Sequence, residues 1–482
     1  TRKIGTTNYK KEVPLMIEME AVARQIRDRQ IRLQEWRYEE FESFVTEIKA
    51  QLPDEIRKKG SQDEVFMWKE LLRTLPTDTS DLPDKWKSHP WMLIDKKKNY
   101  WNLYREILIL RIKLTELEEQ HKKLITEGEP LDAIYDVYGS AMHNAFTTND
   151  QTTYMVGLPS NCLELFLFLE ADRFQNPVFR QFYREREVVM EELRMRESEP
   201  ENKLYKALLT TAFDAHPYGK PVIGWLSDIR STLRSDMEDF YFRFYAPNNC
   251  QLTIVGDVKA EEVFRLAKKY FSSWKKVEVT EELITSNPPL MGERRVTMEL
   301  EAEPRVFIGY HVPVPPHPDA YPIAIIEQIL GSGKTSRLYK SLFQLNGVTA
   351  QPPGVWRAPA SRYPNLFVIS GIPKSPHSLN IVEEAIYKEL EQIKDEPVSD
   401  WELEKIKNQY RMSEITRLRS NQSLAFTLSS FYVNRKDWRA YEEDMERLMA
   451  VTPEDIQRVA QKYFTKSNRV VVRCEKRVND LD

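Results

Sequence analysis

A short acidic stretch, residues 184–200, carries the side chains with the most chemical potential in this chain. It reads REREVVMEELRMRESEP, and four carboxylates lie between Glu185 and Glu192 beside an apolar Val-Val-Met patch. Seven residues separate Glu185 from Glu192, so on an α-helix they share one face, about 20° apart and roughly 10 Å along the axis. The ordinary explanation for such a helix is a charged face that lies in solvent. The other motifs of the chain decide between this explanation and a functional site.

The seven histidines form no local metal motif. No two stand at i, i+4, and neither His-x-x-Glu-His nor His-Glu-x-x-His occurs, the spacings with which one helix can hold zinc. His121 lies on a charged helix and is expected to be solvated. His143 lies in an expected strand, where a structural role is favoured over a ligand role. No Gly-x-Ser-x-Gly or Cys/His arrangement indicates a covalent nucleophile.

A glycine-rich stretch, GSGKTSRLY at 331–339, partly matches a phosphate-binding loop. That motif needs a glycine five residues before Gly333, where this chain has Gln328, and it should follow a strand. The preceding YPIAIIEQIL instead has the composition and spacing of a helix. A turn between two helices is therefore predicted, and nucleotide binding is not.

Composition narrows the classes of protein. The 482 residues are enough for about three domains with sizeable cores. A net charge of −4 without a basic stripe argues against nucleic acid as the main partner. Three scattered cysteines indicate neither a disulfide framework nor a cysteine zinc site, and without an apolar run of about 18 residues no membrane span is expected. Because the chain starts with Thr1 and has no signal-peptide pattern, we expect that an upstream segment was removed or is not included.

The pattern of elements predicts an α+β protein with a helical arm near its start. Residues 12–127 have apolar residues at mixed spacings of three and four, typical of a helical hairpin that serves as a spacer or docking arm. From about residue 130, short strands alternate with amphipathic helices. One unit, a helix ending in aromatic residues, a turn and a β run, occurs at 235–258 and again at 452–476, which predicts two homologous halves joined at a Pro-containing linker, 285–292.

Four stretches, in this order, resemble the pitrilysin/insulinase-type zinc peptidases, or inverzincins. GSAMHNAFTTNDQTTY resembles their edge strand, EREVVMEE their Glu-x6-Glu helix, HPYGKPVIG their His-Pro-Tyr-Gly loop, and FYAPNNCQLTIVGDV the strand that ends each half. The opening TRKIGTTNY resembles the residues that follow this family's His-x-x-Glu-His helix. The resemblance implies two pitrilysin-like halves, divided as 1–10 (a remnant of the first half), 11–128 (the helical insertion), 129–284 (the rest of the first half), 285–292 (the linker) and 293–482 (the second half).

The resemblance also assigns roles to the two acids. Glu192 matches the family's third zinc ligand, and Glu185 matches the acid that supports the site without binding the metal. Two neutral imidazoles and one carboxylate leave a fourth zinc position for water, whose pKa falls towards 7. A supporting carboxylate can orient a ligating imidazole through its other ring N–H.

The two histidines and the general-base glutamate of the family motif are not in these 482 residues. One explanation places them just upstream of residue 1, in a segment that was cleaved or is not included. The other makes this a non-catalytic structural or substrate-binding subunit of a peptidase-like complex that never had them. We favour the first explanation, because a degenerate homologue has little physical reason to keep Glu185 and Glu192 in phase.

The resemblance further implies a peptide-binding strand, with Asn144, Ala145 and Phe146 lining the groove and peptide added main chain to main chain. The alternative is a strand already paired within its sheet. Small Ala145 would permit close backbone approach.

A paralogous partner subunit is also implied. Relatives that bind substrate on their second half carry an Arg and, seven residues on, a Tyr, after a Ser-Arg-Leu stretch. Here the two positions are Phe343 and Ala350, whose side chains donate no hydrogen bond, unless loop lengths shift the roles to Tyr339 or Arg357. The chain therefore resembles the metal-bearing subunit of two-chain bacterial members, which implies a heterodimeric zinc metalloendopeptidase of the periplasm or cell exterior.

Overall fold

Two long antiparallel helices frame the N-terminal helical arm. The computed structural model describes residues 6–34, 38–50, 52–60, 63–81, 84, 89, 97–125, 130–278 and 284–476. The Asn8 side chain accepts a hydrogen bond from the Lys11 N–H and so caps the first helix. The arm has its own apolar core, in which Phe44, Leu71 and Trp101 are fully buried. Its helices are α1 (Tyr9–Gln34), α2 (Tyr38–Ala50), α3 (Asp54–Gly60), α4 (Glu64–Thr74) and α5 (Lys97–Lys122).

A buried ionic cluster fixes the arm to the body. Glu12 is fully buried, and its Oε1 lies 2.7 Å from Arg180 Nε and 3.1 Å from His121 Nε2. The prediction that His121 is solvated is wrong, since only 3% of it is exposed. Periodicity along α5 could not reveal this burial, because the partner that covers His121 is more than 100 residues away.

A hairpin and a set of helices follow the arm. The predicted turn at Asn149 and Asp150 is confirmed, with Met142 paired to Gly157 and Thr147 to Thr152 across the antiparallel hairpin. The elements are α6 (Pro130–Val137), β1 (Met142–Thr147), β2 (Thr152–Gly157), α7 (Leu163–Gln175), α8 (Phe182–Ser198), α9 (Pro200–Ala212), α10 (Leu226–Ser231), α11 (Arg234–Phe244) and α12 (Ala260–Phe271).

A five-stranded mixed sheet organises the C-terminal part, with strand order β3-β7-β4-β6-β5. β7 runs parallel to β3 and antiparallel to β4, so the last strand lies between the first two. Thr452 and Asp455 form a capping box at the start of α18, which leads into β7. The elements are β3 (Arg294–Leu300), β4 (Arg305–Val312), α13 (Ala320–Gly331), a π-helical turn (Tyr339–Leu345), β5 (Gly354–Ala358), β6 (Asn365–Gly371), α14 (Leu379–Asp395), α15 (Asp400–Leu418), α16 (Asn421–Arg435), α17 (Ala440–Ala450), α18 (Pro453–Tyr463) and β7 (Arg469–Lys476).

The central strands of this sheet are buried on both faces. Along β4, Ile308 faces the helices of the C-terminal part, whereas its neighbour Phe307 faces α9, as strand alternation requires. Gly309 lets α9 approach closely, since a Cβ there would lie 3.2 Å from Leu208 Cδ1. Helix α9 therefore covers the face of the sheet that α13, α14 and α18 leave open.

The expected fold class, α+β, is confirmed, but one predicted strand is wrong. Residues 250–258 form no strand ladder with any part of the chain that the structure describes, although their composition is typical of a strand. The division into an arm, a linker and two halves stays a prediction at its stated boundaries. The predicted turn at 331–339 is confirmed: α13 ends at Gly331, and Gly333 has a φ of +72°.

Within the described residues, no helix combines the length and apolar character needed to cross a membrane.

Replacing Glu12 by Gln should destabilise the joint between arm and body. Burial opposes ionisation of Glu12, but hydrogen bonds from His121 and Arg180 outweigh it and keep its pKa below the usual value. Loss of this charge-assisted contact should lower the free energy of unfolding by about 1–3 kcal/mol, measurable by urea denaturation. The control is Glu18→Gln on the same helix, whose carboxylate makes an exposed 2.8 Å pair with Lys113 and should contribute less than about 0.5 kcal/mol. Equal losses for both variants would contradict the expectation.

Candidate active site

Helix α8 carries both candidate acids, and packing of one side fixes where they point. The Tyr183 hydroxyl donates to Glu20 of the arm, and Tyr183 belongs to the same apolar cluster as the arm core. Side chains on the other side of the helix therefore point away from the interior. The buried residues of α8 are Tyr183, Met190 and Leu193.

The opposite side of α8 is an exposed acidic and apolar stripe, defined by Glu185, Val188, Glu192 and Met195. Spacings of three, four and three residues place these four side chains on one helical face. Val188 is 54% exposed and Met195 is 66% exposed, and both glutamates are exposed as well. Solvent thus meets alternating carboxylates and apolar groups on this stripe, which differs from a uniformly charged face.

Glu192 makes a local surface ion pair. Its Oε1 accepts hydrogen bonds from Arg196 Nε at 2.9 Å and Nη2 at 2.6 Å, one helical turn away. No group of three His, Cys, Asp or Glu side chains in the described residues is placed to hold a metal ion. A catalytic zinc site needs three protein ligands. These residues therefore do not fit a zinc ion by themselves, and Glu192 supplies at most one ligand.

The β1–β2 hairpin carries the three residues predicted to bind peptide. The Thr148 N–H donates to the Gln151 carbonyl at 2.8 Å and closes the turn. Because hydrogen-bonded pairs alternate along an antiparallel ladder, the main chain of Asn144 and Phe146 faces β2, whereas that of Ala145 faces the other way. β1 has β2 as its only neighbouring strand among the described residues, so its outer edge can accept an added strand.

The three side chains of this segment differ in their contacts. Asn144 Oδ1 accepts the Ala145 N–H at 2.8 Å, so Asn144 covers the main-chain donor that an added strand would use. Ala145 is exposed. The Phe146 ring lies 5.8 Å from the Phe426 ring of α16, which holds the hairpin against the C-terminal part. Beside this contact, β2, α15 and α16 enclose a groove of about 600 Å³.

Asp150, at the hairpin turn, fastens the hairpin to two other loops. Its carboxylate accepts hydrogen bonds from the Tyr218 hydroxyl at 2.7 Å and from the Ser361 and Arg362 N–H groups at 3.0 Å. The Tyr218 hydroxyl in turn accepts the Tyr363 N–H at 3.1 Å. Sequence reasoning missed this contact, although Asp150 and Tyr218 both lie in motifs that resemble the family's, because no local pattern relates residues 68 positions apart.

His216 helps to shape the loop that carries Tyr218. Its Nδ1 accepts the Tyr218 N–H at 3.1 Å, and the ring is buried. Burial lowers the pKa of His216 against a weaker opposing effect of Asp150, which favours the neutral imidazole whose Nδ1 accepts this bond. His143, also expected to be structural, lies with its Nδ1 2.9 Å from the Asp132 carboxylate of α6.

The two positions at which the chain lacks the Arg/Tyr pair, Phe343 and Ala350, lie on the π-helical turn after α13 and just before β5. Phe343 is on the π-helical turn with its ring 5.2 Å from that of Tyr339. The Ala350 N–H donates to the Ile372 carbonyl at 2.9 Å. Of the alternative positions, Arg357 has its Nε 2.7 Å from the Glu327 carboxylate, so its guanidinium is already engaged.

Two family models match the chain. Residues 116–225 match the model described as insulinase (peptidase family M16), and residues 232–410 match the model described as the peptidase M16 inactive domain. The chain belongs to the M16, or insulinase-type, peptidase family. It is 29% identical over 372 residues to the zinc protease PqqE of Helicobacter pylori, an alignment that covers 74% of this chain and 81% of that protein.

A further relative and two solved structures are also similar to this chain. An uncharacterized zinc protease of Mycobacterium leprae is 25% identical, with coverage of 67% of this chain and 73% of the relative. The crystal structure of a protease from Helicobacter pylori superposes with a TM-score of 0.67 at 27% identity, covering 72% of this chain and 84% of that one. The first half of the periplasmic protease PqqL from Escherichia coli shares the fold at 15% identity, with a TM-score of 0.59 and coverage of 73% and 79%.

The carboxyl of Glu118 gives the contact between α5 and α8 a dependence on pH. Burial and, next, the negative charge of Glu187 raise the pKa of Glu118 to about 7. Because the pKa of Glu118 is higher in the folded protein than the ordinary 4.5, its contribution to the free energy of unfolding is fully present below about pH 4.5. That contribution is lost as the pH rises through 7. Glu118→Gln should therefore be more stable than the parent at pH 8.5, by on the order of 1–2 kcal/mol after allowance for solvent screening.

The measurement is the difference in Tm between Glu118→Gln and the parent across the pH range. This difference should disappear near pH 4.5, whereas Glu116→Gln, which replaces a carboxylate 60% exposed and 3.8 Å from Lys69, should show none at any pH. A difference for Glu118→Gln that is independent of pH would contradict the assignment.

Proposed function

We propose that this chain is part of a zinc-dependent metalloendopeptidase that hydrolyses peptides. The observation that carries the proposal is the stripe on α8, where Glu185 and Glu192 stay in phase on an exposed face beside Val188 and Met195. Support comes from relatives named zinc proteases and from the match to the insulinase model over residues 116–225. Zinc, when bound, supplies a water molecule acidic enough to be deprotonated near neutral pH.

Within this proposal the two acids have different tasks. Glu192 would hold the metal, and Glu185, two turns earlier on the same face, would orient a ligating imidazole. The two imidazoles would have to come from a His-x-x-Glu-His segment, which these 482 residues do not contain. The ion pair with Arg196 opposes metal binding only weakly, since exposed pairs contribute about 0–1 kcal/mol.

The chain as given should bind zinc poorly and hydrolyse no peptide, because one carboxylate is too few protein ligands. After dialysis against a weak chelator, elemental analysis should find well below one zinc per chain. In a form that carries the His-x-x-Glu-His segment, Glu192→Ala should abolish stoichiometric zinc, whereas Glu191→Ala, whose carboxylate pairs with Arg194 on the neighbouring surface, should retain it. Stoichiometric zinc in the 482-residue chain would show that the ligand assignment is wrong.

A second candidate function is a non-catalytic structural or substrate-binding subunit of a peptidase-like complex. The match of residues 232–410 to a domain described as inactive favours it, as does the lack of a metal-ready cluster in the described residues. The two functions differ in one observable: a native complex that contains this chain retains Glu192-dependent zinc only under the first.

In either function, β1 is the proposed peptide-binding strand, with Asn144, Ala145 and Phe146 along the groove. In a form active on peptides, Ala145→Trp should raise KM about tenfold or more, because the indole blocks approach of a second main chain to the outer edge of β1. Tm should be unchanged, since Ala145 is exposed. The matched control is Thr210→Trp on the exposed side of α9, which should alter neither value. An unchanged KM for Ala145→Trp would rule out this groove.

The same proposal includes a paralogous partner that supplies the Arg/Tyr pair. Its support is that Phe343 and Ala350 offer no side-chain donor and that Arg357 is engaged with Glu327. The complex would act in a bacterial periplasm or outside the cell. Mass measurement of the native complex tests for the partner, and full activity from a lone chain that carries the histidine segment would refute it.

A further inference from the structure

The helical arm begins and ends at one place, its root, where the start of α1 meets the end of α5. The Thr6 hydroxyl and the Thr7 N–H both donate to the Leu124 carbonyl, at 3.1 and 2.8 Å. The chain therefore enters α1 and leaves α5 side by side. Close to this root, Arg180 Nε of the body donates to Glu12 Oε1 of α1 at 2.7 Å.

Two carboxylates of α1 hold the start of α8. Glu12 binds Arg180, which lies two residues before α8, and Glu20 accepts a hydrogen bond from the Tyr183 hydroxyl in its first turn. Glu12 is fully buried, and Tyr183 is 1% exposed. Burial opposes ionisation of Glu20, but hydrogen bonds from Tyr183 and Ser235 outweigh it and hold its pKa below the usual value. The contact of Glu20 with Tyr183 is therefore charge-assisted and shielded from water, a combination that makes a hydrogen bond strong.

A second body segment, residues 232–236, is held by the arm and binds the same part of α8. Arg27 Nη1 of α1 lies 2.7 Å from the Asp236 carboxylate at the start of α11. Arg186 of α8 donates through Nη1 to the Thr232 carbonyl at 3.1 Å. The first turns of α8 are thus bound by the arm directly and also through a segment that the arm contacts.

The contact with Tyr183 determines the direction of the stripe on α8. Successive residues of an α-helix are about 100° apart, so Glu192 lies about 180° and Glu185 about 160° around the axis from Tyr183. The other end of α8 continues through Glu199 into α9, which packs on the C-terminal sheet. Anchors at both ends fix the axis of the helix, and the buried tyrosine fixes its rotation about that axis.

We propose that the arm is a positioning element for α8, in which Glu20 acts through Tyr183 to set the direction of the stripe. Glu20 meets α8 on the side opposite the stripe, so it is a positioning residue and not a catalytic one. The use of the stripe in peptide hydrolysis rests on the proposed function, whereas the positioning of α8 by the arm does not.

Distances between two spin labels, measured by double electron–electron resonance on the 482-residue chain, test the inference. The labels are attached at Val188→Cys on the stripe and at Thr210→Cys on the exposed side of α9, with Cys250→Ser because Cys250 is exposed. Glu20→Ala and Tyr183→Phe should each widen the distance distribution about twofold or more, because the first turns of α8 lose an anchor. The double variant should widen it no further, since both changes remove the same contact.

The matched control is Tyr100→Phe inside the arm, where the Tyr100 hydroxyl donates to the Leu33 carbonyl at 2.9 Å. Tyr100 and Tyr183 are both buried, so the two Tyr→Phe variants should lower the Tm by similar amounts, about 1–4 °C. Only Tyr183→Phe should widen the distance distribution. A role limited to stability predicts the same distribution for both variants.

Kinetics separates this inference from the proposed function. In a form active on peptides, Glu20→Ala should lower kcat about tenfold or more and leave KM within about twofold, because a misdirected stripe affects the reaction and not the strand β1 that binds peptide. A widened distance distribution with an unchanged kcat would support the positioning of α8 and count against the role of the stripe in hydrolysis.

Two results would overturn the inference. One is a distance distribution that neither Glu20→Ala nor Tyr183→Phe changes; Tyr183→Phe keeps the aromatic ring and decides the matter if Glu20→Ala does not fold. The other is equal widening by Tyr100→Phe, which would mean that any loosening of the arm moves α8 and that the contact between Glu20 and Tyr183 has no special part in it.

Discussion

Burial of the second face of the C-terminal sheet is the constraint on which the position of the acidic helix depends. β4 and β7 have apolar side chains on both faces, so each face needs a cover. Helix α9 provides one cover with Leu204 and Leu208, which are fully buried. A single residue, Glu199, separates α8 from α9, and Pro200 at the first helical position fixes the start of α9. The side of α8 that faces solvent therefore follows from how α9 docks on the sheet.

The sequence was sufficient to predict local structure where the spacing of apolar residues and the turn residues indicate the same element. The alternation of 142–157 around Asn149 and Asp150 predicted the hairpin, and the aromatic-ended helices before 250 and 469 predicted a repeat. Prediction from the sequence failed where a structure depends on a contact between residues that are far apart in the chain. The composition of residues 250–258 is strand-like, but a strand exists only with a partner, and composition carries no information about whether that partner is present. His121 is buried with its Nε2 against Glu12, a residue that no local pattern relates to it.

The roles of Glu185 and Glu192 were predicted by resemblance, and the structure adds what resemblance could not. It places both on the exposed side of α8 and shows that Val188 and Met195 complete the stripe. It also shows a contact that links the proposed peptide-binding strand to the rest of the body. Asp150 receives three hydrogen bonds from two separate loops, so the hairpin turn is fixed to the body while the outer edge of β1 has no neighbouring strand among the described residues. A main-chain template benefits from this arrangement, because a pre-positioned edge loses little conformational entropy when it binds peptide.

The ion pair between Glu192 and Arg196 opposes metal binding by Glu192 less than its short distances suggest. Both side chains are about half exposed, and such pairs contribute about 0–1 kcal/mol, whereas a complete structural zinc site contributes on the order of 10 kcal/mol. A metal held by two imidazoles would displace the guanidinium at little cost. Without the imidazoles, one carboxylate offers the metal too little to compete with water. Under the proposed function, zinc binding would therefore depend on two histidines brought to the stripe on α8, and the ion pair with Arg196 would not prevent Glu192 from acting as a ligand.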